Sequence, residues 1–312
     1  VTLEQFLRRE VDLGSFAGVS WAVGSEKGID QTGAVGNAVS VPLRLPATVD
    51  TIYDCASLTK PLVTTTIALN EFSLDQKIHG YTVRELLTHT SGLRAWMPLY
   101  AYDDPIRAIL EEGPECERGT RVIYSDLNFI LLWNAIGDFD AKARALGARI
   151  KPEASLKPRI AATEWGQRWE MKMCAERGVA YDHLRDALIW GETHDGNSHH
   201  IGNGCAGNAG LFATAREVFE LTRAAIAGRE IKAEVEGRGL GWDIATGSEA
   251  TSMLSPGSFG HTGFTGTSVW IDRARDLILV LLTNRVHPCA APIAIQRIRG
   301  EFHRIAIGTL RS

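Results

Sequence analysis

Two apolar runs near the end of the chain, Thr267 to Asp272 and Leu277 to Thr283, are separated only by Arg273-Ala274-Arg275-Asp276. A link that short joins antiparallel neighbours, whereas a parallel pair needs a crossover of a dozen residues or more. The runs therefore predict a β-hairpin. The other end of the chain carries a second such signal. Phe16 to Val23 is small, β-branched and aromatic, ends at Gly24-Ser25, and is followed by a Gly-rich stretch, Lys27 to Gly36, that suits a hairpin partner. Strand signals at both ends and a helical, loop-rich middle predict one discontinuous α/β domain, 1–75 with 205–312, carrying an insertion over 76–204. The expected architecture is an antiparallel sheet flanked by helices.

The helices announce themselves by period and caps. Leu3, Phe6, Leu7 and Val11 fall at helical spacing, and Leu58, Leu62, Val63, Ile67 and Leu69 predict a helix from Ser57 to about Phe72. Thr82 with Glu85 and Thr214 with Glu217 form capping-box patterns for helices over 82–87 and 214–227. Asp104 to Glu112 is a helix stopped by Gly113-Pro114, another follows Asp126, and a terminal helix is expected from about Ala291 to Thr309. Thr51 to Asp54 and Ile160 to Thr163 read as short extended segments. Trp165 to Trp190 shows no clear period, and Gly191 to Gly210 is dense enough in Gly, Asn and His to be mostly loop.

Ser57-Leu58-Thr59-Lys60 puts a hydroxyl and an amine three residues apart, on one face of a helix. A serine is a poor nucleophile until a neighbour takes its proton, and a lysine serves as that neighbour when burial and nearby positive charge lower its pKa. Tyr124-Ser125-Asp126 and His261-Thr262-Gly263 follow in order. A tyrosine beside cations is suited to carry a proton. Gly263 would let substrate approach a strand edge whose N–H serves an oxyanion hole. The His-Thr-Gly triplet is expected to open the strand that becomes Ser268 to Asp272.

With these three motifs the chain resembles the serine penicillin-recognising superfamily, which holds the class C β-lactamases, the DD-peptidases and the β-lactamase-like esterases. The flanks resemble it too: Leu86-Leu87-Thr88-His89-Thr90-Ser91-Gly92-Leu93, Tyr124 to Phe129, and Ala209 to Ala215. The likeness covers most of 15–135 and 190–310 and is weak over 137–185. It implies a β-lactamase/transpeptidase-like fold and an acyl-enzyme on Ser57. Lys60 would take or share the serine proton, and Tyr124 would relay it. The N–H groups of Ser57 and Phe264 would form the oxyanion hole, and Asp126, His261, Thr262 and Gly263 would contact substrate. Two departures matter. Asp126 stands where many relatives have Asn, and it can hold Lys60 by charge. His261 stands where many have Lys, and a neutral imidazole recognises a substrate carboxylate poorly. Both point away from a β-lactamase and toward an esterase or a D-amino-acid amide hydrolase. A class C-like β-lactamase, or a penicillin-binding module without turnover, is the alternative.

A net charge of -4 gives no reason to expect nucleic acid, and no apolar run approaches the length of a membrane span. The expected partner is a small ester, peptide or β-lactam, with no cofactor; nothing in the pattern sets an oligomeric state. Five scattered cysteines, with no Cys-x-x-Cys, suggest reduced, buried thiols. That favours the cytoplasm, with a periplasmic or secreted location open if a signal segment was removed ahead of Val1. Gly202-x-Gly204-x-x-Gly207 lacks the strand that a dinucleotide fingerprint needs and reads as a loop bordering the cleft. His194, Asp195, His199 and His200 read as loop residues, not a metal site. Among the tryptophans, Trp242 is the expected cleft wall. The stretch 137–185 is expected to help form the cleft.

Overall fold

The computed structural model describes residues 1–290 and 293–309. Its centre is a seven-stranded antiparallel sheet in the order Leu45–Pro46, Gly28–Val39, Gly18–Ser25, Leu277–Thr283, Ser268–Asp272, Phe259–Thr262, Asp243–Ile244. The two ends of the chain meet in the middle of it, where Val19 lies opposite Thr283 and Val23 opposite Leu279.

Leu277–Thr283 is buried along its whole length because both sheet faces are covered. Leu277, Leu279 and Leu281 pack with Leu7 and Phe302 of the two terminal helices, Leu3–Asp12 and Ile295–Thr309. Ile278, Val280 and Leu282 point the other way, toward Phe219 of helix Ala215–Ile226. Period-2 alternation under two covers gives a continuous apolar run, and each buried Leu or Ile contributes about 1.5–3 kcal/mol.

Both capping boxes form, at Thr82 with Glu85 and at Thr214 with Glu217. The helices Pro105–Glu112 and Asp126–Ile136 also stand where the pattern put them. Four expectations need correction. His261 and Thr262 do not open the strand Ser268–Asp272; they end a strand of their own, Phe259–Thr262, that pairs with it. A tight turn separates the two, with Gly263 N–H donating to Thr267 O at 2.8 Å. The segment after Ser57 is not one α-helix. It begins as a 3-10 turn at Ala56–Leu58, winds as a π-helix over Lys60–Thr65, and becomes α-helical only at Thr66–Glu71. Pro61 has no N–H to give to the regular ladder, and wide turns of this kind recur at functional sites. The aperiodic stretch after Trp165 contains a helix, Arg168–Glu176. The cysteines are free, but only Cys55, Cys174 and Cys205 are buried; Cys289 is exposed and Cys116 half-buried. Ala291, where the terminal helix was expected to begin, lies outside the described residues. Among those described, no helix is long and apolar enough to cross a membrane.

Candidate active site

A second, three-stranded sheet sets the entry to the site. Tyr53–Asp54 pairs with Leu211–Ala213, which pairs with Arg149–Ile150. The chain leaves this sheet through Cys55, whose N–H donates to Leu211 O at 2.8 Å. It then passes Ala56, which is held at φ 47°. A non-glycine residue in this left-handed region costs about 1–2 kcal/mol, and such strain gathers at functional sites. Here the Ala56 N–H is tied to Asp54 Oδ1 at 2.8 Å, and the next residue is Ser57.

Ser57 Oγ accepts a hydrogen bond from Lys60 Nζ at 2.8 Å, so the three-residue spacing does bring the pair together. Lys60 is fully buried. Its nitrogen also donates to Asn208 O at 2.9 Å and meets Asp126 Oδ1 at 2.6 Å. Two oxygens accept from the nitrogen, and the Asp126 carboxylate meets it as an ion pair outside hydrogen-bond geometry. Burial alone would lower the lysine, but the charges of Asp126 and Tyr124 outweigh it and hold Lys60 above its usual value. Burial, with Asp195 adding, pushes the Asp126 carboxyl up while Lys60 pulls it down. The 2.6 Å contact is that of an ion pair. The lowered lysine that a neutral base requires is therefore not what this geometry provides.

Tyr124 is placed by the segment before it. His89, at φ 59°, accepts the Ser125 N–H on Nδ1 at 2.9 Å and takes the Ile123 N–H on its carbonyl at 2.9 Å. Ser125 Oγ donates to Arg94 O at 2.7 Å, and Asp126 N–H to Ala95 O at 2.9 Å. These bonds explain why the Leu86 to Leu93 pattern accompanies the tyrosine motif. Burial, with Arg238 and Lys60 nearby, keeps His89 well below its usual value and neutral. The Tyr124 ring lies 4.6 Å from His89 and 5.1 Å from Lys60 Nζ.

The turn after His-Thr-Gly is fastened to the nucleophile's own backbone. Thr265 Oγ1 donates to Asp54 O at 2.8 Å and Thr267 Oγ1 to Cys55 O at 3.0 Å. A Cβ on Gly263 would come within 2.7 Å of Cys55 O and 2.1 Å of Thr267 Oγ1. Gly263 thus makes room for the backbone ahead of Ser57, not for substrate. Buried Arg299 supports the turn from below, donating to Thr267 O at 2.9 Å, and Arg285 donates to Phe264 O at 2.7 Å. Ser57 and Phe264 both line the cleft that results. Among the described residues, neither of their N–H groups is taken by a protein acceptor.

The cleft has a volume of ≈ 180 Å³. Ser57, Tyr124, Asp126 and Phe264 line it, together with Trp96, Trp169, Glu170, Met173, His194 and Asp195. His261 is 2% exposed and does not reach it, and Thr262 faces a neighbouring hollow with Arg238 and Asp243. Trp242 is not a cleft wall: it is buried, edge-on to Phe259 at 5.5 Å. The wall comes from Ala95 and Trp96, from helix Arg168–Glu176 and from the segment after Gly191, which is not all loop as expected: His199 and His200 lie in a short helix, Gly196–His200, capped by Asp195. His194 stacks on Phe264 at 5.6 Å and meets buried Glu164 at 3.1 Å. Among the described residues, no group of His, Cys, Asp and Glu is arranged to hold a metal.

Known proteins share this chain's sequence pattern and fold. The chain is 25% identical to the "Putative D-alanyl-D-alanine carboxypeptidase" of Escherichia coli (strain K12), across 93% of this chain and 83% of that protein. In fold it is similar to "EstCE1, a hydrolase with promiscuous acyltransferase activity", with TM-score 0.71 and 15% identity over 97% of each chain. It is likewise similar to a class C β-lactamase from Rhodobacter sphaeroides, with TM-score 0.69 and 17% identity over 99% of each. The family model described as Beta-lactamase matches residues 3–300, and the chain therefore belongs to this serine β-lactamase-like hydrolase family.

Proposed function

We propose that the protein is a hydrolase that forms an acyl-enzyme on Ser57 and releases a small acyl group from an ester or a D-amino-acid-type amide. The observation that carries this reading is the Ser57 hydroxyl, open to the cleft and bonded to a lysine that also meets Asn208 O, Asp126 and the Tyr124 ring. Ser57 Oγ attacks the carbonyl carbon as its proton passes to Tyr124. The oxyanion forms against the N–H groups of Ser57 and Phe264, a stabilisation of about 3 kcal/mol per donor. The carbon–heteroatom bond breaks as Tyr124 returns the proton to the leaving atom. Water then repeats the sequence on the ester and regenerates the serine. In this scheme Lys60 orients Ser57 and supplies charge.

Size and charge bear on the substrate. A cleft of ≈ 180 Å³ is below the roughly 300–1,000 Å³ of sites that enclose drug-sized ligands. Its acidic side chains are Asp126, Glu170 and Asp195, and among the described residues no lysine or arginine lines it. Lys60 balances Asp126 and burial raises Glu170 to about 7, so Asp195 is the acid whose like charge a β-lactam carboxylate or the free C-terminus of a peptide would meet there. A small neutral acyl group fits better.

Intact mass and product release, followed for wild type and Ser57→Ala with p-nitrophenyl butyrate and separately with benzylpenicillin, test the reading. Ester turnover lost in Ser57→Ala, with little penicillin turnover, is expected. Fast penicillin hydrolysis would promote the β-lactamase. A stable adduct without turnover would make the protein a penicillin-binding module.

A further inference from the structure

The third motif leaves a gap in the site's charge. His261 stands where a cation would, but it is buried, its Nδ1 bonds Thr262 O at 2.8 Å, and its Nε2 has no partner. Burial, with Lys60 and Arg238 nearby, keeps it well below its usual value, so the imidazole is neutral. Asp126 neutralises the ammonium of Lys60 on the other side. A proton carrier at Tyr124 that becomes negative would then face one compensated cation.

A second cation is in place. The guanidinium of Arg238 lies 5.2 Å from the centroid of the Tyr124 ring, nearly as close as Lys60 Nζ at 5.1 Å. It is largely withdrawn from solvent, with 19% of its side chain exposed, so its field is weakly screened. One arm is anchored by Asp243. The backbone holding it is fixed: Arg238 N–H donates to Val235 O at 3.1 Å, Glu234 N–H to Arg238 O at 2.8 Å, and Gly241 N–H to Leu87 O at 2.9 Å. The turn ends in buried Trp242.

We propose that Arg238 is a positioning residue for the acyl transfer, supplying from outside the three motifs the positive charge that lets Tyr124 work as a phenolate base. The phenolate takes the Ser57 proton as Oγ bonds to the acyl carbon. The resulting phenol gives that proton to the leaving group, and the same exchange with water completes deacylation, so protons balance in each half. The charged and titratable groups around Tyr124 are Lys60, Asp126, Asp195, His89, His261, Arg238 and Asp243. Of these, Lys60 and Arg238 are the cations, each with a carboxylate beside it; Asp126, paired with Lys60, lines the Ser57 cleft, while Asp243, paired with Arg238, lines the neighbouring hollow. The proposal rests on the acyl-enzyme reading above, and Ser57→Ala tests that reading separately.

The test is the pH profile of kcat/KM for p-nitrophenyl butyrate, whose leaving group needs no proton. Arg238→Met is expected to move the acid limb up by about one pH unit, a roughly tenfold loss below the limb, with KM within about twofold. Arg238→Lys keeps most of the activity. Asp243→Asn leaves the guanidinium less neutralised and moves the limb the other way, which also covers the case of a poorly folded Arg238→Met. In a Tyr124→Phe background, Arg238→Met adds less than about twofold. A limb that stays put in both variants, or a loss that persists in full without the tyrosine hydroxyl, would overturn the proposal. A higher KM with unchanged kcat would instead make Arg238 a substrate contact.

Discussion

The floor and the wall of the cleft are built on opposite principles. On the floor, each reacting group or the segment beside it is tied to another element: Lys60 by Asn208 O, Ser125 by the His89 imidazole and Arg94 O, the Gly263 to Thr267 turn by Asp54 O and Cys55 O. Nothing there waits for substrate to set its position. The wall is Trp96, beside the carbonyls that hold Ser125 and Asp126, with Trp169, Met173 and Glu170 on a short helix and Asp195 after it, Trp169 being 41% exposed. The floor is preorganised for one chemistry, and Asp195 and His194 are bonded into it through Asn208 and Asp54, while Trp169 and Met173 are side-chain surface that can change without disturbing it. On this reading reactivity belongs to the floor and choice of acyl group to the wall.

The sharpest way to break that contrast is Gly263→Ala. The new methyl must displace Cys55 O or Thr267, and with them the relation between the Ser57 and Phe264 N–H groups. A loss of about 10²–10³ in kcat is expected, as for removal of an oxyanion donor, with KM changed far less. Steady-state kinetics on a variant whose far-ultraviolet circular dichroism matches wild type will show it. Full activity would mean that the turn is not the floor's keystone.

Next in size is Asp126→Asn. It leaves a fully buried ammonium without its carboxylate, a loss of about 3 kcal/mol, at the lower end for buried pairs because Asp126 is partly exposed. The sign of the pH dependence should also reverse. In wild type Lys60 is raised, so its contribution is complete below the unfolded lysine value and disappears as pH rises through the folded one. In the variant, burial dominates and lowers Lys60, so stability should increase with rising pH up to the unfolded value. Urea unfolding at pH 7 and pH 9 reads the loss and the rise in the variant, over a range where the Lys60 contribution in wild type is constant because its window lies above the unfolded lysine value; an unchanged midpoint at pH 7 would argue against the charged pair.

The same contrast separates what was legible in the sequence from what was not. Leu277 to Thr283, the two capping boxes and the Ser57/Lys60 spacing could be read because each is a local rule with a fixed period or offset. The wall follows no such rule. Helix Arg168–Glu176 buries Glu170 and Cys174 while Trp169 and Met171 face outward, the reverse of an amphipathic pattern. Trp242 looked like a wall because it is a tryptophan after glycines, but the strand Phe259–Thr262 gives it a core neighbour. Arg238 carried no signal at all, since only tertiary folding brings it to Tyr124.

Glu170 tests whether the wall contributes strain. Burial, with Asp195 adding, pushes its carboxyl up from 4.5 to about 7. The folded chain therefore holds a proton that the unfolded chain releases, and stability falls as pH rises from about 4.5 to about 7, by roughly 2–3 kcal/mol. Tyr100 donates to Oε2 and the Gly196 N–H to Oε1, so a glutamine oxygen keeps one of the two bonds, and with Oε1 facing Gly196 the Tyr100 hydroxyl can turn to accept from the amide nitrogen. Glu170→Gln should flatten the fall between pH 5 and pH 8 in urea unfolding. A slope identical to wild type would assign it to another group.

Trp169→Ala is the smallest and most selective change. Its ring meets Phe264 at 5.6 Å and Lys172 at 5.8 Å and is otherwise open to solvent. Removing an exposed side chain of this kind costs within about 0.5 kcal/mol of stability. Its place at the cleft mouth gives it an apolar contact to substrate, worth about 0.5–1.5 kcal/mol. The expected result is a KM several-fold higher for butyrate esters, less for acetate, with kcat within about twofold. That pattern is the loss of binding common to ground and transition states. If kcat instead fell a hundredfold at constant KM, Trp169 would be setting the position of Phe264 and its N–H, and the wall would have to be counted with the floor.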